Sequence, residues 1–511
     1  MRKYPIGIQN FRKIQEEDYL YVDKTEIVYQ LLTEGVYYFL SRPRRFGKSL
    51  LLSTIKEIFL GSQELFKGLW IEKKWDWTKK NPVIHLSFNN IGARHLGLRD
   101  AISLLLKENA ALLGIHLTAP SIDLQFKELI IKASEQGKVV LLIDEYDKPI
   151  IDYLNDTPKA QENRETLKEF YSIIKDADPY IRFLMITGVS KFSKVSIFSD
   201  LNNLEDITIS EAMNDLVGIT QQEVEGSFQE IIKIISVKFK ISEIELLQKI
   251  RDWYNGYNWG GIHTLYNPFS ILSFFKQQQF SNFWFETGTP TFLIEQIKRR
   301  NDFNFEALKT SQAGLSDFNI ENINPTTLLF QTGYLTIKEY DDKRLLYTLS
   351  YPNNEVKHSL LQYLMGAYRY DYADKSMPLA AILCEAFEHN NIPEALAVIN
   401  TVFSTIPSHL WKGATELHYH ALLHLTFSLL GTYIQSEVNT SRGRCDALVK
   451  TTTHIYVLEF KLDKTPEEAL NQIFDKGYLE PYKYDAQQKV AIGINFSSEH
   501  KKVESYLLKV V

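Results

Sequence analysis

Four short, almost continuously apolar runs punctuate the first 210 residues: VYYFLS (36–41), VIHLSF (83–88), VVLLID (139–144) and RFLMITG (182–188). Runs of this length without polar alternation predict strands covered on both faces, hence a parallel sheet flanked by helices. Amphipathic stretches between them, such as SLLLSTIKEIFLG and NRETLKEFYSIIKDA, supply the helices. The alternation predicts an α/β domain over residues 1–210.

From 211 to 350 the pattern turns mainly helical, with EVEGSFQEIIKIISVKF and EIELLQKIRDWYNGY as clear amphipathic segments. TTLLFQTGYLTIKEYDDKRLLYTLS then predicts a helix followed by a small hairpin, a winged-helix-like ending. A third segment, 351–511, begins with helices after NNEVKHSLLQYL. Its last hundred residues read as a helix (ATELHYHALLHLTFSLL), strands at YIQSEV, CDALVKT and HIYVLEFKL, a helix at PEEALNQIFDKGY and a strand at KVAIGINF. The fold class expected is α/β multidomain.

Composition narrows this picture in three ways. A chain of 511 residues is too long for one core and predicts roughly two to four domains. The net charge of −6 excludes a globally basic nucleic-acid coat, so any such contact uses local patches. Cys384 and Cys445 are too few for a zinc cluster or a disulfide framework and are expected to be reduced packing residues. The start MRKYPIGIQNF lacks the apolar core of a signal peptide, and no apolar run approaches the ~20 residues that span a bilayer. A soluble, cytoplasmic protein without membrane contact is expected.

Candidate chemistry begins at SRPRRFGKSLL (41–51). A phosphate-binding loop needs inward backbone N–H groups at a helix N-terminus, a lysine for the β- and γ-phosphates, and a hydroxyl on Mg²⁺. Gly47, Lys48 and Ser49 provide the second half of that arrangement between a predicted strand and a predicted helix. The usual first glycine is absent: Arg42-Pro43-Arg44-Arg45 makes a stiff, basic turn that itself complements phosphate charge. About a hundred residues on, VVLLIDEYD places Asp144 and Glu145 at the end of an apolar strand, where carboxylates are costly unless they have work to do. Asp144 is a candidate Mg²⁺ holder together with Ser49, and Glu145 a candidate for polarising the attacking water. The plain alternative for the pair is an N-cap cluster at a helix entrance. Thr187 and Ser190, in ITGVSKFS, follow the next strand; a γ-phosphate contact and ordinary turn chemistry are both open there. Arg299 and Arg300 are candidates for an arginine finger, against a solvated helix end.

PIGIQNFRKI, YLYVDKTEIV, SRPRRFGKSLL, VVLLIDEYDKP and ITGVSKFSKVSIFSDLNNLEDIT together resemble the bacterial AAA-ATPase-like family, over about residues 1–210 and more loosely in the helical region. Proteins similar to it carry the arginine-rich loop in place of the first glycine. The resemblance implies a P-loop NTPase of the additional-strand, catalytic-glutamate type that uses ATP and Mg²⁺, with Arg44, Arg45, Gly47, Lys48, Ser49, Asp144 and Thr187 at the nucleotide.

A second constellation lies in RGRCDALVKTTTHIYVLEFKLDK. Alternation puts Glu459 and Lys461 on one face of a strand and Phe460 on the other, towards a core. If the flanking strands pair as a hairpin, Asp446 approaches Glu459. Two carboxylates suit Mg²⁺ or Mn²⁺, and a lysine beside the metal orients water and offsets developing phosphorane charge. Glu416, on the preceding helix, is a candidate third acidic ligand, and Gln472, with Tyr478 beyond it, a candidate for orienting Lys461 or a phosphate. Taken alone, E-x-K on an amphipathic strand is more often a surface ion pair. The order Glu, Asp, Glu-x-Lys, Gln resembles the PD-(D/E)XK nuclease superfamily, which implies a C-terminal α/β restriction-endonuclease-like domain; Cys445 stands in place of the motif's proline, which is often absent and carries no chemistry. Glu416, His420 and His424 share a helix face, but three ligands in one row cannot surround a metal, and local hydrogen bonding is the expectation. WYNGYNW, FWFETG and YNPFS are expected to serve packing and turns before base stacking. Gly288 and Pro290 resemble, by analogy, the turn that opens a helical segment in signal-transduction ATPases.

Together these readings predict an ATPase whose nucleotide state controls a metal-dependent nuclease acting on nucleic acid, DNA first, in a chain that leans towards self-association. Defence against foreign DNA or mobile-element biology suits that combination by analogy of fold. The rivals are an ATP switch whose C-terminal domain binds nucleic acid or protein without cutting, and a nuclease with a static nucleotide.

Overall fold

The computed structural model describes residues 2–191, 197–198, 201, 203–284, 291–300, 305–316, 319–369, 376–404, 416–431, 435–437 and 445–511. They fall into two compact units, Met1–Gly288 with Glu306–Glu355, and Thr289–Phe305 with Val356–Val511.

In the first unit, strands β1 (Tyr37–Ser41), β2 (Val83–Ser87), β3 (Val139–Asp144), β4 (Ile181–Gly188) and β5 (Glu205–Asp206) pair in the order β2-β3-β4-β1-β5. All four pairings are parallel. Every residue of β1 and β3 is buried, as strands covered on both faces must be. The four apolar runs are thus strands of one sheet, and β5 is a two-residue addition with no apolar run to announce it. β4 lies between β1 and β3, the additional-strand arrangement. The loop after β1 and the carboxylates after β3 therefore share the C-terminal edge of the sheet, where ligands of open α/β sheets bind. The helix Lys48–Phe59 follows that loop and buries Leu51, Leu52, Ile55, Ile58 and Phe59.

Residues beyond the sheet are mainly helical. Gln221–Ser227 starts on a capping box in which Thr220 and Glu223 satisfy each other's backbone N–H groups. Gln229–Phe239, Glu243–Tyr254 and Pro268–Gln277 enclose an apolar core that includes Ile231, Ile235, Leu246, Ile250 and Phe274. Tyr4, Ile6, Leu20 and Val22, from the start of the chain, pack against it. Two short strands, β6 (Ile219–Thr220) and β7 (Leu265–Tyr266), pair antiparallel here. The expected helix and hairpin are Pro325–Thr332 followed by β9 (Thr336–Asp341) and β10 (Leu346–Ser350), with β8 (Leu308–Ser311) added on the other side of β10.

The second unit holds a mixed sheet of β11 (Gln435–Glu437), β12 (Ala447–Lys450), β13 (His454–Leu462), β14 (Gln488–Ser497) and β15 (Lys502–Val510), in that order. β13 and β14 are parallel and the other pairs antiparallel. The helix Pro466–Asp475 crosses from β13 to β14, capped by the Thr465 hydroxyl, which accepts from Glu468 N. Helices Ser376–Glu388, Ile392–Ser404 and Glu416–Leu430 precede or open the sheet. Among the described residues no helix is long and apolar enough to cross a membrane.

Candidate functional site

A cavity of about 460 Å³ opens at the C-terminal edge of the first sheet. Arg44, Arg45, Gly47, Lys48 and Ser49 line it from the loop after β1, and Glu145 and Asp147 from the turn after β3. Gly47 has φ 96°, and the helix begins at Lys48. The buried Lys48 ammonium donates to the carbonyls of Arg42 (2.8 Å) and Pro43 (3.0 Å). Burial lowers its pKa, while Asp144, Asp147 and Glu145 pull the other way. Arg44 and Arg45 are exposed, and the Arg45 guanidinium lies 5.0 Å over the Phe269 ring. Ile6, Ile8, Phe269 and Leu272 add apolar walls suited to a base or sugar face. A smaller apolar recess beside it, lined by Tyr21, Val22, Leu51, Val217 and Ile219, shares Phe46, Leu50, Pro268 and Leu272 with the cavity.

Four placements refine the reading of the loop and carboxylates. Arg42 is wholly buried and turned away from the cavity, so the basic face of the loop consists of Arg44 and Arg45. Asp144 is 4% exposed and is not among the cavity-lining residues; its Oδ1 accepts from the Thr187 hydroxyl at 2.6 Å. Thr187 is wholly buried and braces Asp144 rather than facing the cavity. Asp147, which the sequence reading passed over, does reach the cavity. Its Oδ2 accepts from Val189 N (3.0 Å), Ser190 N (2.6 Å) and Ser190 Oγ (2.7 Å), pinning the turn after β4 to the turn after β3. Burial raises the pKa of Asp147 against those hydrogen bonds, and burial, followed by repulsion from Asp144, raises that of Glu145. Glu145 takes φ 52°, and this break in extended geometry aims its neighbours differently. Asn89, after β2, is a further polar residue on the cavity that the sequence reading did not single out; the polar pair ending SFNN was its only signal. Phe269 of YNPFS also reaches the cavity, whereas Tyr257 and Trp259 of WYNGYNW are core residues.

In the second unit, pairing of Ala447 with Leu458 sets Asp446 opposite Glu459. Asp446 Oδ2 accepts from Phe460 N at 2.7 Å. Glu459 is 2% exposed. Its Oε1 accepts from Lys461 Nζ at 3.0 Å and from Gln472 Nε2, and Gln472 is in turn hydrogen-bonded to the buried Tyr478. Oε2 of Glu459 is buried with no hydrogen-bond partner. Burial, then repulsion from Asp446, pushes the Glu459 carboxyl up to about 7. An orphaned carboxylate oxygen beside a second carboxylate is costly unless a cation completes it, so the donor set fits a hard divalent metal. Among the described residues no group of three or more His, Cys, Asp or Glu side chains converges on one point. Glu416 opens the helix Glu416–Leu430, but its side chain and that of His420 lie outside the described residues, as do Gly288, Pro290 and the side chains of Arg299 and Arg300. His424 is partly buried on the same helix.

Comparison with known proteins identifies the two stretches of chain that carry these residues. Residues 5–198 match the model of the AAA-ATPase-like family, described as a predicted AAA-ATPase, and residues 414–506 that of the PD-(D/E)XK nuclease superfamily. The chain is 40% identical over 522 residues to an uncharacterized protein in the vnfD 5' region of Azotobacter chroococcum mcd 1, covering 99% of each chain. No solved structure matches. With likeness to that protein running end to end, the chain belongs to its family, one that joins an AAA-ATPase-like domain to a C-terminal PD-(D/E)XK nuclease superfamily domain.

Proposed function

We propose that the first unit binds and hydrolyses ATP, that the second cleaves phosphodiester bonds in nucleic acid, DNA first, and that the nucleotide state controls the cleavage. The observation that carries the reading is the meeting, at one cavity, of Lys48 and Ser49 with Glu145 and Asp147, nearly a hundred residues away in sequence. Lys48 leaves its loop carbonyls for the phosphates, and Arg44 and Arg45 add charge at the open side. Glu145 accepts a proton from the attacking water, a role that its burial-raised pKa favours. Ser49 would hold Mg²⁺ from the cavity, and Asp144, set behind the lining, would act on it through water or Ser49; the ion supplies charge neutralisation on the phosphates. Thr187 and Asp147 hold this edge of the sheet in register.

In the nuclease unit, Asp446 and Glu459 would hold Mg²⁺ or Mn²⁺, which lowers the pKa of bound water and polarises the phosphate. Lys461 stabilises the attacking hydroxide, and Gln472 fixes the Glu459 carboxylate. Defence or mobile-element biology suits such a pairing of domains by analogy of fold alone. The test is a panel of labelled DNA and RNA substrates with Mg²⁺ or Mn²⁺, beside an ATP-turnover assay. Lys461→Ala is expected to lower cleavage, and Glu145→Gln ATP turnover, each by about a hundredfold or more. Intact turnover with no cleavage of any substrate would favour a switch that binds without cutting.

A further inference from the structure

The loop that replaces a glycine-rich turn has two faces. Arg44 and Arg45 are exposed at the cavity, whereas Arg42, Pro43 and Phe46 are buried and meet Thr208, Tyr257, Trp259 and Gly333. The Arg42 guanidinium donates from Nη1 to the Thr208 carbonyl at 2.7 Å and lies 4.4 Å over the Trp259 ring. Its Nε and Nη2 are buried without hydrogen-bond partners, so the indole face and the charge of Asp206 offset its burial. Phe46 meets Tyr257 and Trp259 edge-on at 5.0 and 4.9 Å. The Arg44 carbonyl accepts from Trp284 Nε1 (3.1 Å) and Asn267 Nδ2 (3.3 Å), and the Phe46 carbonyl from Gly218 N (3.2 Å). Pro43 sits so close to Gly333 that a Cβ there would come within 2.6 Å of its ring.

A glycine-rich phosphate loop takes its shape from backbone freedom. This one is shaped from behind by side chains. The two carbonyls that hold the Lys48 ammonium belong to Arg42 and Pro43, the residues seated on Trp259 and Gly333. Drawing Lys48 towards phosphates removes a donor from both anchors at once.

We propose that Arg42 and Trp259 are positioning residues that hold the phosphate loop in its working shape, and that residues 255–264 respond through them to a nucleotide in the loop. The assignment rests on the ATP-binding reading above. Arg42, standing where the first glycine is usual, contacts no phosphate and acts through Lys48.

Full-length protein tests this with three readouts: binding of labelled ATP by equilibrium dialysis, amide hydrogen exchange of the 255–264 segment with and without saturating ATP, and ATP turnover of Trp259 variants. ATP is expected to slow exchange in 255–264. Trp259→Leu, which loses the aromatic face, is expected to lower kcat about tenfold, with Trp259→Phe restoring most of it. Because phenylalanine is also bulkier than leucine, the ATP-dependent exchange of 255–264 in wild type, rather than the variant pair, separates positioning from space filling. Unchanged exchange in wild type saturated with ATP, or Trp259→Leu turning over like wild type, overturns the assignment. Failure of labelled ATP to bind at all overturns the nucleotide reading itself, and the assignment with it. The exchange measurement needs no variant and stands even where Trp259→Leu does not fold.

Discussion

Glu459 shows most directly how its surroundings set the state of a single side chain. One oxygen is held by Lys461 and Gln472, and the other is buried with no protein partner. Burial beside Asp446 pushes its pKa up to about 7 from the usual carboxylate range. In the metal-free protein the ionised form is therefore disfavoured, and the stability cost grows as pH rises from about 4.5 through about 7. A divalent cation held there, as proposed, would reverse that cost. Millimolar Mn²⁺ at pH 8 is expected to raise the melting temperature by about 3 °C in wild type and by nothing measurable in Glu459→Gln. Equal shifts in both proteins, read by scanning calorimetry, would remove Glu459 from the ligand set. In the other unit, Lys48 and Arg42 show that two cations of one loop can have opposite fates. One ammonium waits on loop carbonyls beside a cavity; one guanidinium is sealed against an indole.

Elements set these side chains in place through close approaches. The helix Pro466–Asp475 carries Gln472 to Glu459 because its first turn lies directly on β14 at Gly493. A Cβ at Gly493 would come within 2.2 Å of the Pro466 carbonyl oxygen and 2.5 Å of Leu470 N. Those contacts are backbone and cannot rotate away. Gly493→Ala is expected to destabilise the second unit by about 1–3 kcal/mol and to lower cleavage more than ATP turnover, since Gln472 rides on the displaced helix. Melting curves and the two activity assays check this; parallel loss of both activities would instead indicate global unfolding. Elements also explain what was legible in the sequence. β1, β3 and β4 announced themselves as apolar runs because both their faces are covered, and β2, at the sheet edge, alternates buried with half-buried residues. β15 did not, because KVESYLLKV is an edge strand with most residues exposed and carries no sustained pattern.

For the whole molecule, the chain crosses between the two units three times, at 288/289, 305/306 and 355/356. A change propagated along the first unit therefore has more than one covalent route to the second. ATP is expected to alter the cleavage rate of wild type several-fold and that of Lys48→Ala not at all. Identical cleavage by both proteins with and without ATP would separate the two activities and leave the nucleotide without control over cutting.

The sequence by itself determined four of the five strands of the first sheet, the place of the 42–49 loop and of Asp144 and Glu145 at the ends of two of them, and the Asp446 and Glu459 pairing. Each follows from local periodicity, and a hairpin register brings 446 to 459 by counting alone. Only the tertiary structure decided which groups face the cavity. Asp147 lines it while Asp144 is braced by Thr187, after a turn in which Glu145 takes φ 52° and alternation no longer predicts direction. Nor does any local pattern say that Arg42 of the loop lies on Trp259, or that Trp284 holds the carbonyl of Arg44. Those contacts join positions more than two hundred residues apart, and packing, rather than periodicity, chose them.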